Sequence, residues 1–325
     1  MGDAWVVQAY EPRCADEWNR FIARSRNGVF LFDRGYMDYH ADRFQDASVM
    51  VRDARNARLM AVLPLHRVTS EGQSTLISHG GLTFGGLVMD PKLGGSAVLA
   101  IFEALVSHWR HQGVSRLVYR PVPHIYHRLP SEDDLYALHR LGARLGGVQL
   151  SSTLDLARPV PASEARNRVK AKANRLGVTV RPACFSEYWP LLESTLARRH
   201  GVKPVHSLDE IRLLSDRFKQ IELNCAVQAS GGSGDILAGT VLYCYDGVMH
   251  AQYLAASEDG YQVGAMNALM EHCIRDAKER GMRWFSFGTS TYDGGKALND
   301  GLLRHKEQFG ARSTVLQSYE LDIGG

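Results

Sequence analysis

The 325-residue chain contains no unbroken apolar run of the ~18 residues needed to cross a bilayer, so no membrane span is expected. It also lacks paired cysteine spacings. Cys14, Cys184, Cys225, Cys244 and Cys273 are odd in number and scattered, which argues against a disulfide framework or a zinc site. Excess charge is missing too. A formal net charge of +3 is too small to imply nucleic-acid binding by itself, although a local basic stretch could still do so. The opening residues, Met1 to Gln8, show no basic segment followed by an apolar one. Secretion is therefore not expected, and reduced thiols in the cytoplasm are.

What is present is a soluble, globular composition and enough length for two domains with separate cores. The second half repeats the layout of the first. Gly113 and Gly281 each end a helical stretch, Arg116 and Trp284 each open a strand, and Gly142 and Gly310 each precede Ala-Arg. All three pairs stand 168 residues apart, with no gap between them. Shared element order at a fixed offset points to a duplicated fold.

In the first half the spacing predicts a helix over 14–26 and a meander of strands at 48–51, 59–63 and 74–77. A helix at 97–112, a strand at 117–119 and a helix at 132–141 follow. The second half is expected to run as helices at 186–200 and 207–217, then strands at 223–228, 237–245 and 248–255. A helix at 265–279, a strand at 284–287, a helix at 298–308 and a strand at 314–321 complete it. Ser207 with Glu210 has capping-box spacing, and Asp246-Gly247 is a hairpin turn. A Gly/Ser loop is expected at 230–234. Pro159 and Pro161 mark a linker, followed by a basic helix at 164–176. The domains are expected at 1–158 and 183–325, with the basic linker helix at 159–182.

A meander, then helix, strand, helix and strand, resembles the GNAT acyltransferase fold. Phe287-Gly288-Thr289-Ser290 followed by Lys306-Glu307-Gln308-Phe309-Gly310 is similar to the F-G-x-S … K-x-x-F-G close of FemAB-like double-GNAT proteins. The basic stretch from Arg166 to Gly177 resembles the helix joining the two units in that group. The resemblance implies an α+β fold of two tandem GNAT-like domains, each a mixed, mostly antiparallel sheet flanked by helices. It implies a cytoplasmic transferase that forms an amide from an activated acyl or aminoacyl donor. The acceptor would be an amine of an envelope precursor, an amino sugar or a natural product.

The candidate residues follow from that chemistry. An amine attacks an activated carbonyl where the central strands splay, and donors there stabilise the developing oxyanion. Lys306 is expected to supply a cation, as the resemblance implies, and Tyr253 to serve the leaving group. Asp38, His40 and His206 are further acid–base candidates, histidine being the usual base near neutral pH. His79, His200, Ser290, Asp293 and Asn299 are candidates for binding substrate.

Acyl-CoA-using GNAT enzymes carry Q/R-x-x-G-x-G/A at a helix start, where N–H groups hold pyrophosphate. Here Tyr261 and Met266 depart from that pattern, leaving Gln262 and Gly264 as its remnants. Arg168, Lys170 and Lys172 are candidate contacts to a tRNA or pyrophosphate donor. No permanently bound cofactor and no metal are expected. The donor is aminoacyl-tRNA by preference, with acyl-CoA as the alternative; a non-catalytic binding module is the rival. Three other motifs are incomplete. His79-Gly80-Gly81 has no accompanying nucleophile elbow, Gly295-Lys296 lacks a P-loop's flanking residues, and His108 with His111 lacks a third ligand.

Overall fold

The computed structural model describes residues 4–228 and 235–324, with His200 described by its backbone alone. The loop expected at 230–234 lies outside the described residues. The chain forms two compact units: Met1–Gln149 with Gly294–Lys296 and Val315–Gly325, and Leu150–Asp293 with Ala297–Thr314.

The first half contains β1 (Trp5–Ala9), α1 (Ala15–Arg24), α2 (Arg34–Met37), β2 (Gln45–Asp46), β3 (Val49–Asp53) and β4 (Leu59–Leu63). It continues through β5 (Leu65–Ser70), β6 (Gln73–Ser78), β7 (Val88–Met89), α3 (Gly95–His111), β8 (Arg116–Tyr119), α4 (Asp133–Arg140) and β9 (Arg144–Asp155). The second half opens with α5 (Glu164–Arg175), β10 (Val178–Pro182), α6 (Phe185–His200), α7 (Leu208–Arg217), β11 (Ile221–Gln228), β12 (Ile236–Cys244) and β13 (Val248–Ala256). Then come α8 (Glu258–Val263), α9 (Ala265–Glu279), β14 (Trp284–Thr289), β15 (Thr291–Tyr292), β16 (Ala297–Leu298), α10 (Asp300–Glu307) and β17 (Arg312–Asp322).

The duplication holds in register. Helices α3 and α9 end at His111 and Glu279, and strands β8 and β14 begin at Arg116 and Trp284. Strands β9 and β17 begin at Arg144 and Arg312, again 168 residues apart. The helix-ending glycines repeat as well: Gly113 and Gly281 have φ of 70° and 71°, a left-handed turn that a side chain would strain.

Among the described residues each unit has one parallel strand pair beside antiparallel ones. In the first unit β6 runs parallel to β8, and in the second β13 runs parallel to β14. The neighbouring strand is exchanged between halves. Tyr319–Asp322 of β17 pair with β8 in the first unit, while Ser151–Asp155 of β9 pair with β14 in the second. Strand β9 was not anticipated, because Gly146 and Gly147 interrupt the alternation that marks a strand. The short β1, β5 and β7 also escaped the pattern.

The cores are separate and ordinary. In the first unit Phe102, Leu105 and Trp109 of α3 pack with Leu117, Leu138 and Val51. In the second, Met266, Leu269 and Met270 of α9 pack with Leu242, Met249, Phe285 and Phe309. Full burial of each such side chain contributes roughly 1.5–3 kcal/mol. Among the described residues no helix is long and apolar enough to cross a membrane.

Candidate active site

The site of the second unit is set by two strand irregularities. Across β12 and β13, Tyr243 faces His250 and Val241 faces Tyr253, so β13 carries one extra residue between them. That bulge at Gln252 puts His250 and Tyr253 on the same face although they are three apart; regular pleating would send them to opposite faces. On β14, Ser286 pairs with Thr153 and Gly288 with Ser152, which leaves Phe287 as a second bulge. The parallel pairing of β13 with β14 runs from Val248/Trp284 to His250/Ser286, directly before both bulges. Backbone groups freed where such strands part can polarise a carbonyl.

Lys306 of α10 reaches the end of β14. Its Nζ donates to Gly288 O at 2.9 Å and Thr289 O at 2.7 Å, and the side chain is only 4% exposed. Burial pushes its pKa down to about 7, because desolvation disfavours the ammonium and both bonds go to neutral oxygens. Beside it, His250 Nδ1 lies 3.0 Å from Ser286 Oγ. Burial first, and then the Lys306 charge, hold His250 down to about 4, so its ring is neutral at neutral pH. Gly288, at φ 74°, carries one of the carbonyls that Lys306 grips; a Cβ there would stand 3.4 Å from His250 Cε1.

Tyr253 and His206 come together. The Oη–Nδ1 distance is 2.6 Å, and the ring of Trp189 meets Tyr253 edge-on at 5.8 Å. Burial pushes the Tyr253 phenol up to about 12, so it stays protonated. Among the described residues Trp189 Nε1 is buried without a hydrogen-bond partner. The capping box expected at Ser207 forms: Ser207 N donates to Glu210 Oε2 at 2.7 Å, and Glu210 N to Ser207 Oγ at 3.2 Å. This fixes the backbone immediately after His206.

The remaining candidates separate. Ser290 is buried, its Oγ lacks a partner, and its carbonyl accepts from Asn299 N. Asn299 caps α10, its Oδ1 accepting from Leu302 N at 3.0 Å. Asp293 is exposed at φ 51°. The side chain of His200 lies outside the described residues. In the first unit Asp38 is ion-paired with Arg34. There His40 and His79 lie 5.7 Å apart, ring to ring, with His66 5.8 Å from His79. Burial, then His40 and His66, push His79 down to about 4. Among the described residues no group of side chains is arranged to hold a metal.

At the donor loop, Gly264 is left-handed at φ 80° and turns α8 into α9. A Cβ there would come within 2.8 Å of Val169 Cγ1 and 3.2 Å of Val169 O, so α5 lies against this helix start. Gln262 is exposed and Met266 buried. Of the basic residues of α5, Arg166 turns inward at 1% exposure, bonds Glu271 at 2.6 Å and stacks on Phe309. Lys170 shares Glu271 at 3.3 Å, while Arg168 and Lys172 are exposed. Arg166 thus departs from the exposed basic residues of α5, because its guanidinium has a carboxylate and an aromatic face to meet inside.

His250 and Ser286 were missed in the sequence. The available signal was a histidine and a serine in strands of otherwise apolar inward residues, but their pairing required the register.

Residues 163–300 match the family model described as an acetyltransferase (GNAT) domain. That stretch is similar to a GNAT domain, and the protein is an acyltransferase. In fold it is similar to FemX, with a TM-score of 0.70 at 12% identity, covering 98% of each chain. It is also similar to L-PGS from Bacillus licheniformis, with a TM-score of 0.61 at 14% identity, covering 98% of this chain and 93% of that one. A tandem GNAT protein from the clavulanic acid biosynthesis pathway gives 0.51 at 13%, covering 99% of each. At such identities the likeness carries the fold alone, that of a tandem GNAT. No curated protein matches the chain.

Proposed function

We propose that the protein joins an activated acyl or aminoacyl group to the amine of an envelope precursor, amino sugar or natural product. The second unit carries the chemistry, in the cytoplasm. The observation that supports this most is Lys306, a buried ammonium whose two bonds go to the Gly288 and Thr289 carbonyls at the strand splay. An ammonium has three N–H groups, so one remains for the oxyanion of a tetrahedral intermediate. That interaction strengthens as charge develops, which is what lowers a barrier.

The preferred donor is aminoacyl-tRNA. Two observations support it: Val169 lies against Gly264, where a CoA pyrophosphate would approach, and Arg168 and Lys172 are exposed on the same helix α5. The domain division is proposed at 1–158 and 183–325, with the basic linker helix at 159–182. Calorimetry with CoA and acetyl-CoA, beside a transfer assay with charged tRNA and small amines read by mass spectrometry, tests the assignment. Amide product from charged tRNA with no micromolar CoA binding is the expected result. Micromolar CoA binding would overturn the donor and make acyl-CoA the alternative in its place.

A further inference from the structure

Tyr253 is unusually constrained for a strand tyrosine. The Gln252 bulge turns it to the His250 face, Trp189 and His206 each meet its ring edge-on, and its Oη lies 2.6 Å from His206 Nδ1. His206 is 3% exposed, and its backbone leads directly into the Ser207 capping box. Both rings are therefore held, and the hydroxyl has a well-defined side-chain partner. The backbone of Val205 and His206 also hydrogen-bonds toward the phenol and partly offsets the effect of its burial. An oxygen that accepts from backbone N–H groups directs its own proton elsewhere, and the nearest acceptor is Nδ1. The Glu210 carboxylate, on the first turn of α7, also raises the phenol.

We infer that Tyr253 and His206 form a two-residue proton relay for amide formation, with His206 acting through Tyr253 as a positioning residue. This rests on the acyl-transfer reading above. During attack the amine nitrogen bonds the acyl carbon and the carbonyl electrons move to oxygen. The amine's proton passes to Tyr253 Oη while the phenol's own proton passes to His206 Nδ1, which becomes imidazolium. On collapse the carbonyl re-forms and the bond to the donor's leaving atom breaks. That atom takes a proton from Tyr253, which recovers one from His206. The sum is amide plus protonated leaving group, with both side chains restored. Concerted passage avoids a free tyrosinate, which this buried environment disfavours.

The test has two arms on the full chain. Nitrogen-15 NMR of histidine-labelled protein should show His206 with Nδ1 unprotonated and Nε2 protonated, and the Nδ1 signal should move in Tyr253→Phe. In the transfer assay with charged tRNA and small primary amines, His206→Ala and His206→Gln should each lower kcat by about a hundredfold with KM within about twofold. Added imidazole should restore rate to the alanine variant alone. Glutamine accepts the phenol hydrogen bond but cannot take its proton. Full activity in His206→Gln would therefore reduce His206 to a structural partner and overturn the relay. A protonated Nδ1 overturns it as well, whatever the rates. A wild-type chain that turns over no donor refutes the acyl-transfer reading instead, a result distinct from either failure.

Discussion

The two units place different residues in one frame. In the second, His250 pairs across the parallel strands with Ser286, and Lys306 projects from α10. In the first, the same register pairs Ile77 with Val118. The residue 168 positions before Lys306 is Leu138, wholly buried in the apolar core. Where one copy has a histidine, a serine and a lysine, the other has isoleucine, valine and leucine. A buried charge costs stability unless something compensates it, so Lys306, bonded only to neutral oxygens, represents stability given up. The first copy makes no such sacrifice, and this asymmetry is the strongest reason to place the chemistry in the second unit.

Exchanging the unlike residues should give the largest effects. Leu138→Lys puts an ammonium among Phe102, Leu105 and Tyr119 and should destabilise the protein by about 3–5 kcal/mol in denaturant unfolding. Tolerance of that lysine would show that the first frame can also house a cation, and the comparison would lose its force. Conversely, Lys306→Leu should fold at least as stably as wild type yet lose about a hundredfold or more in turnover. Lys306→Arg should rescue little, since a planar fork does not sit where a point charge did.

Effects of pH should divide along the same line. If the Lys306 charge supports transfer, turnover is fully present below about pH 7 and falls as pH rises through that value and the ammonium is lost. In the first unit His79 is held near 4 against an ordinary value of 6.5. The unfolded chain then binds more protons between those values. Stability is complete above about pH 6.5 and drains away as pH falls toward 4, by roughly 2–3 kcal/mol. His79→Gln should flatten that acid limb in unfolding measurements without touching the alkaline loss of turnover. A coincident change in both would tie together what the residues keep apart.

The smallest expected effect concerns α5. If exposed Arg168 and Lys172 meet a tRNA backbone, Lys172→Ala should weaken tRNA binding severalfold and reduce the slope of log affinity against log salt by about one. An unchanged slope would leave α5 as a connector closing the start of α9.

Much of this molecule could be read from its sequence. Periodicity placed α9 at its observed bounds, the Ser207–Glu210 spacing announced its capping box, and the 168-residue offset revealed the duplication. Each is a local property: helical spacing, a cap four residues long, and glycines that must be left-handed wherever the chain folds. Lys306 and Tyr253 were singled out through resemblance and residue type. The pairing of Tyr253 with His206, 47 residues away, and of His250 with Ser286, 36 residues away, was not. Neither was the exchange of β9 and β17, nor the inward turn of Arg166. These depended on which strand lies beside which and on where one extra residue is inserted. A bulge at Gln252 reverses the face of every later side chain, yet it leaves no mark in composition or spacing. Tertiary packing decided it: Trp189 of α6 meets Tyr253, while Met249 and Ala251 pack with the apolar residues of α9, so the residues of β13 meet different environments.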